Sequence, residues 1–149
     1  MNSNKVIFLI EDNPSDVDLA KRAFAKSRIA NELVVAEDGE AALEYLHGEG
    51  PHAGREVSEL PAVALLDLNL PKISGLEVLR RIRADGRTKR LPVVILTSSK
   101  EEQDLAASYD LGVNSYIRKP VDFEQFAQAI QILGLYWLVL NEEPPKPRL

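Results

Sequence analysis

Residues 62–75 read AVALLDLNLPKISG, and the first six of them decide the fold. Ala62-Val63-Ala64-Leu65-Leu66 is apolar at every position and closes on one carboxylate, Asp67. A strand with one wet face alternates polar and apolar residues, so a short unbroken apolar run indicates a strand covered on both faces. Immediately beyond, Gly75 to Ala84 places Leu76, Leu79 and Ile82 on one side of a helix. A doubly buried strand followed by an amphipathic helix is half of a parallel βαβ unit.

The same alternation runs outward in both directions. Lys5 to Ile10 (KVIFLI) is a first apolar strand. Asn13-Pro14-Ser15 then opens a helix, with Asn13 as its cap, Pro14 in the first turn, and Val17, Ala20 and Phe24 at helical spacing. Leu33 to Ala36 is a second strand. Asp38 or Gly39 starts a helix with Ala42, Leu43 and Leu46 on its apolar face. Gly48, Gly50, Pro51 and Gly54 mark His47 to Leu60 as an extended surface loop. Downstream, Leu91 to Thr97 (LPVVILT) is a fourth strand, and Lys100 to Leu111 a helix poor in large apolar residues. Asn114 to Arg118 is a fifth strand, and a long helix runs from Asp122 toward Leu140. Residues 1–140 are expected to form one domain, with residues 141–149 (NEEPPKPRL) as a frayed tail. Five strands alternating with five helices imply parallel βαβ units and so a three-layer α/β sandwich; we take its sheet in 2-1-3-4-5 order, which puts the second strand at the margin.

Composition narrows the function classes. The chain has 149 residues, 45% hydrophobic and 28% charged, enough for one domain with a real core. A net charge of -5 argues against a nucleic-acid surface, and the basic cluster Arg80, Arg81, Arg83, Arg87, Lys89 and Arg90 reads as a solvated helix face and loop. With no cysteine, disulfides, thiolate metal sites and thiol nucleophiles are excluded. No signal-peptide pattern opens the chain, and no apolar run reaches the roughly 18 residues of a membrane span. A cytoplasmic protein without membrane contact is the expectation. His47 and His52 have no partner at a suggestive spacing and read as solvated. The glycines at 48, 50 and 54 match neither a dinucleotide-binding nor a P-loop signature.

In open α/β sheets the site lies outside the carboxyl ends of the strands, so the residue after each strand is informative. Glu11 and Asp12 follow the first strand, Asp67 the third, Thr97-Ser98-Ser99 end the fourth, and Lys119 follows the fifth. Glu37 and Asp38 follow the second, but that strand lies at the sheet margin and its acids read as a helix start. Three convergent carboxylates repel one another unless a cation shares the site. A hard cation suits them, and Mg²⁺ takes one or two carboxylates plus water and phosphate oxygens. With neither cysteine nor a histidine near this edge, Zn²⁺ is disfavoured. A carboxylate can accept a phosphoryl group as an aspartyl phosphate. The transition state spreads charge over peripheral oxygens, which a metal ion, the Lys119 ammonium and the Thr97 hydroxyl are suited to stabilise.

These residues together resemble the receiver domains of bacterial two-component systems. The resemblance is carried by Glu11-Asp12, by Asp67 in LLDLNLP, by Gly75 in KISG, by Thr97-Ser98 after VVIL and by Lys119-Pro120 in YIRKP. It spans roughly residues 5–133 and implies the flavodoxin-like receiver fold. It implies that Asp67 is the phosphoacceptor, fed by a partner histidine kinase. Asp12, Asp67 and the Asn69 backbone carbonyl would hold Mg²⁺, with Glu11 acting largely through water. Thr97 and Lys119 would engage the phosphoryl group, Tyr116 would swing with Thr97, and the bond before Pro120 would be cis. Such a domain assists its own phosphorylation and dephosphorylation and is a switch, not a metabolic enzyme.

The long loop and the LLDLNLPKISG wording resemble a subgroup serving phytochrome-type kinases, whose members lack an output domain and form homodimers. The C-terminal helix supports an interface on its own residues. Phe123, Phe126, Ala127, Ile130, Leu133 and Trp137 form one stripe, and Ile132, Leu135, Tyr136, Val139 and Leu140 lie on other faces. A small domain struggles to bury both sets, so Trp137, Tyr136 and Leu140 are expected at a dimer interface; the alternative is a tail that folds back over them. Two rival functions remain open. An aspartate-nucleophile phosphatase would place a second Asp two residues after the nucleophile, where this chain has Asn69. A phosphorylation-independent interaction domain would lack the acids, the acceptor or the lysine, and all are present. A DNA-binding regulator fits less well, since few residues follow the fifth helix.

Overall fold

Five strands form one parallel sheet in the order β2-β1-β3-β4-β5: β1 Ile7–Ile10, β2 Leu33–Ala36, β3 Val63–Leu66, β4 Val93–Thr97 and β5 Ser115–Arg118. Between and after them come α1 Pro14–Lys26, α2 Gly39–His47, α3 Gly75–Ala84, α4 Glu102–Asp110 and α5 Phe123–Leu135. This computed structural model describes residues 6–26, 31–98, 102–118, 122–135 and Pro145. The expected three-layer α/β sandwich is the observed architecture.

The continuous apolar strands have the expected cause. Along β1, Phe8 and Ile10 point into a core shared with Ala42, Leu43 and Leu46 of α2 and Val78, Leu79 and Ile82 of α3. Ile7 and Leu9, one residue out of step, point into the opposite core with Ala20, Ala23 and Phe24 of α1 and Phe126 and Ala127 of α5. Successive strand side chains alternate faces, and both faces are covered. α5 is further tied to α1 by the Lys26–Glu124 ion pair at 2.8 Å and by the Lys26 ammonium 5.2 Å from the Phe123 ring centre.

Helix starts follow local chemistry. Asn13 Oδ1 accepts from the Ser15 and Asp16 N–H groups at the start of α1. Asp38 Oδ1 accepts from Ala41 N at 2.7 Å, so the second acidic pair is indeed a helix start. Ser74 and Asp122 cap α3 and α5 in the same way. β4 begins at Val93 rather than Leu91. Pro92 accepts from Ala64 N through its carbonyl but has no N–H to return, so the ladder starts one residue later.

The segment after α2 is more ordered than an extended surface loop. Gly48 takes a left-handed φ of 65° and returns its N–H to the last turn of α2. A 3₁₀ turn follows at Gly50–His52. Arg55 then donates to the carbonyls of Tyr45, Leu46, Glu56 and Glu59, with its guanidinium 4.4 Å from the Tyr45 ring centre. One cation therefore satisfies helix-end carbonyls and loop carbonyls together.

Three sequence readings are corrected. His47 is not solvated: its Nε2 is buried 3.4 Å from Asp85 Oδ2. His52 packs edge-on against Tyr45, with ring centres 5.0 Å apart. Arg83, read with the solvated basic cluster, is half-buried and bonds four backbone carbonyls. Tyr136, Trp137 and Leu140, expected at a dimer interface, lie outside the described residues, as does most of the tail.

Candidate phosphoacceptor and metal site

The strand register sets the site. Ile10 stands level with both Ala36 and Leu66, so Glu11 and Asp67 leave the sheet at the same height. Two main-chain bonds hold that exit: Glu11 N donates to Ala36 O at 3.0 Å, and Asp67 N donates to Ile10 O at 3.0 Å. Carboxylate oxygens of Glu11, Asp12 and Asp67 come within 4.8 Å of one another. The expectation that acids after the first and third strands converge is what the backbone geometry delivers. Of the acids after the second strand, Asp38 caps α2 instead.

The three carboxylates differ in exposure. Glu11 and Asp67 are buried, at 1% and 6%, while Asp12 is exposed. Two buried carboxylates thus lie beside an exposed one at the carboxyl edge of the sheet. Glu11 Oε2 accepts from Asn13 N at 3.2 Å, and Asp67 Oδ1 accepts from Asn69 N at 3.1 Å. Burying two carboxylates with a third beside them is costly unless positive charge is available. The donor set is all oxygen, which suits a hard divalent cation. The residues present fit Mg²⁺.

Thr97 ends β4 fully buried, and Ser98 follows it exposed. Both hydroxyls receive the Asn69 carboxamide: Nδ2 donates to Thr97 Oγ1 at 3.4 Å and to Ser98 Oγ at 3.3 Å. In the sequence the Asn69 side chain served only to argue against a second, acidic Asp at that position, and no contact with Thr97 or Ser98 was expected of it. Its place two residues after Asp67 was the available signal. Tyr116 lies beside Ile95 in the β4–β5 ladder, half-buried against the core shared by α2 and α3. Lys119 and Pro120 lie outside the described residues; the residue before them, Arg118, is level with Thr97.

The loop from Asp67 to Gly75 is held closely. Ile73 N donates to Pro71 O at 2.8 Å, closing a tight turn whose centre, Lys72, takes a φ of 68°. The Lys72 ammonium sits 3.5 Å from Asp38 Oδ2 and 3.6 Å from Glu40 Oε2, and these carboxylates raise its pKa above the ordinary value. The loop that carries Asn69 is thereby tied to the start of α2.

Comparison with known proteins agrees with this geometry. Residues 7–131 match the response regulator receiver domain family. The chain is 41% identical to the response regulator Rcp1 of Synechocystis over 92% of its own length and 91% of that protein. The Mn²⁺-bound structure of Rcp1 superposes with a TM-score of 0.83 at 38% identity, covering 95% of this chain and 99% of that one. The phosphorylated cyanobacterial phytochrome response regulator RcpA gives a TM-score of 0.85 at 42% identity, over 95% and 99% of the two chains. The bacteriophytochrome response regulator RtBRR is 51% identical, with a TM-score of 0.77 over 95% of this chain and 85% of that one. With a receiver match across most of its length and the acid-lined sheet edge that such a fold uses, the chain belongs to the response regulator receiver domain family.

Proposed function

We propose that this receiver domain is a stand-alone response regulator that takes a phosphoryl group from a partner histidine kinase onto Asp67. The observation that carries the reading is the convergence of Glu11, Asp12 and Asp67, with Asp67 buried beside the exposed Asp12. An Asp67 carboxylate oxygen attacks phosphorus, the bond from phosphorus to the donor imidazole breaks, and an acyl phosphate remains. Asp12, Asp67 and the Asn69 carbonyl would hold Mg²⁺, with Glu11 behind them. When bound, that ion offsets charge on the phosphoryl oxygens. Thr97 donates to the phosphoryl group and Lys119 pairs with it, which draws β4 and β5 with their flanking helices into a second arrangement read through Tyr116.

Similarity to Rcp1, RcpA and RtBRR supports a phytochrome-type photoreceptor kinase as the partner. The apolar residues Tyr136, Trp137 and Leu140 support a homodimer through the C-terminal helix. No described helix is long and apolar enough to cross a membrane, and we place the protein in the cytoplasm.

The test is intact-mass detection of a phosphoryl adduct from acetyl phosphate, with and without Mg²⁺, on the native chain and on Asp67→Asn. A single Mg²⁺-dependent adduct, lost in the variant, is expected. No adduct, or one that survives the substitution, overturns the Asp67 reading and brings the phosphorylation-independent interaction domain forward.

A further inference from the structure

A carboxamide nitrogen has two protons and, as a donor, nothing to accept with. The Asn69 Nδ2 group directs them at two hydroxyl oxygens, Thr97 Oγ1 and Ser98 Oγ, at 3.4 and 3.3 Å. Each hydroxyl accepting from Asn69 keeps its own proton for a different partner. Thr97 is fully buried, so its proton must be satisfied inside the protein rather than by bulk water. Asn69 also donates its backbone N–H to Asp67 Oδ1 at 3.1 Å. Asn69 thus bridges the end of β3 and the end of β4, its backbone N–H held by Asp67 and its carboxamide donating across the gap to Thr97 and Ser98.

We infer that the Asn69 carboxamide is a positioning residue, fixing the polarity of the Thr97 and Ser98 hydroxyls so that their protons are presented to a phosphoryl group on Asp67. This rests on the proposed Asp67 reaction and concerns the side chain, whereas the expected metal role belongs to the Asn69 backbone. An acceptor at position 69 would reverse the arrangement: both hydroxyls would turn their protons toward it and away from the phosphoryl oxygens. Asn69→Asp makes that change with almost no change in shape. Asn69→Ala removes the donor without supplying an acceptor and should have the smaller effect.

The experiment measures binding of beryllofluoride, a phosphoryl mimic, by ¹⁹F NMR in the presence of Mg²⁺. Native chain, Asn69→Asp, Asn69→Ala and each combined with Thr97→Ala and Ser98→Ala are compared, with thermal unfolding recorded for all. In the hydroxyl-bearing background, Asn69→Asp should weaken binding about tenfold or more and Asn69→Ala about threefold. In the background lacking both hydroxyls, the Asn69→Ala effect should vanish, and Asn69→Asp should keep only the part due to its added charge. Equal losses in both backgrounds would overturn the inference, because a purely structural or purely charge-based role does not depend on the hydroxyls. A native chain that binds no beryllofluoride at all would overturn the Asp67 reading and this inference with it; native binding without coupling overturns this inference alone.

Discussion

Gly75 lies directly against the main chain of Asp67. A Cβ built on Gly75 would stand 2.3 Å from the Asp67 carbonyl oxygen and 2.4 Å from Leu68 Cα, while Gly75 N donates to Leu68 O at 2.9 Å. The first residue of α3 therefore sets how closely the helix approaches the end of β3. Gly75→Ala must push backbone against backbone, since no flexible side chain is there to yield. It should cost about 2–3 kcal/mol in urea unfolding, and it should slow adduct formation at Asp67 even under conditions where the variant is folded. Native-like rates in a folded Gly75→Ala chain would show that the close approach does not position Asp67.

The carboxylate cluster should make stability respond to divalent cations. Mg²⁺ binding only the folded chain raises the melting temperature with concentration, by mass action. Asp12→Asn should reduce that response sharply, and in metal-free buffer should match or exceed the native melting temperature, because one of three mutually repelling carboxylates is gone. Differential scanning calorimetry across an Mg²⁺ titration, against an EDTA control, reads both effects.

Arg83 joins segments distant in sequence. Its guanidinium donates to Leu111 O and Leu91 O at 2.7 Å and to Lys89 O and Gly112 O at 3.0 Å, tying the end of α3 to the turns after α4 and before β4. Burial pushes its pKa down from the ordinary value. Arg83→Ala strands carbonyls in a partly dry setting and should cost about 2–4 kcal/mol by urea denaturation. Arg83→Lys should recover less than half of that, since an ammonium cannot match the planar fork.

Ser108 is the one buried hydroxyl on the described part of α4, and its Oγ has no hydrogen-bond partner among the described residues. Removing an unsatisfied buried polar group is favourable while the lost volume is small. Ser108→Ala should leave thermal stability unchanged or raise it by up to about 1 kcal/mol, with alanine also the better helix former. A clear loss in a melting experiment would contradict this.

Acid stability has an identifiable contributor in Asp85. Hydrogen bonds from the Arg87 side chain hold its carboxyl at about 2, below the ordinary 3.8. The unfolded chain protonates first as pH falls, so the contribution is complete above about pH 4 and lost as pH drops toward 2. Asp85 is partly exposed and screened by solvent, so the effect should be about 1 kcal/mol. Melting temperatures of the native chain and Asp85→Asn between pH 6 and pH 2 should converge toward the acid end.

What the sequence determined by itself is the layered sheet and the acidic edge. Both follow from local rules: apolar runs such as Val63–Leu66 exist because each face is covered, and the residue after a parallel strand emerges at the sheet's carboxyl edge whatever else the chain does. Asp67, Glu11 and Asp12 could therefore be placed together from strand ends alone. The partners of individual polar side chains could not. Asn69 and Thr97 are 28 residues apart, as are Arg83 and Leu111, and His47 meets Asp85 across two helices. No periodicity encodes such pairs, because they depend on the register between strands and the path of the intervening loops. Only the tertiary structure turned Arg83 from a surface cation into a clasp and the Asn69 carboxamide into a bridge between two strand ends, since burial and direction of a hydrogen bond are properties of the assembled fold.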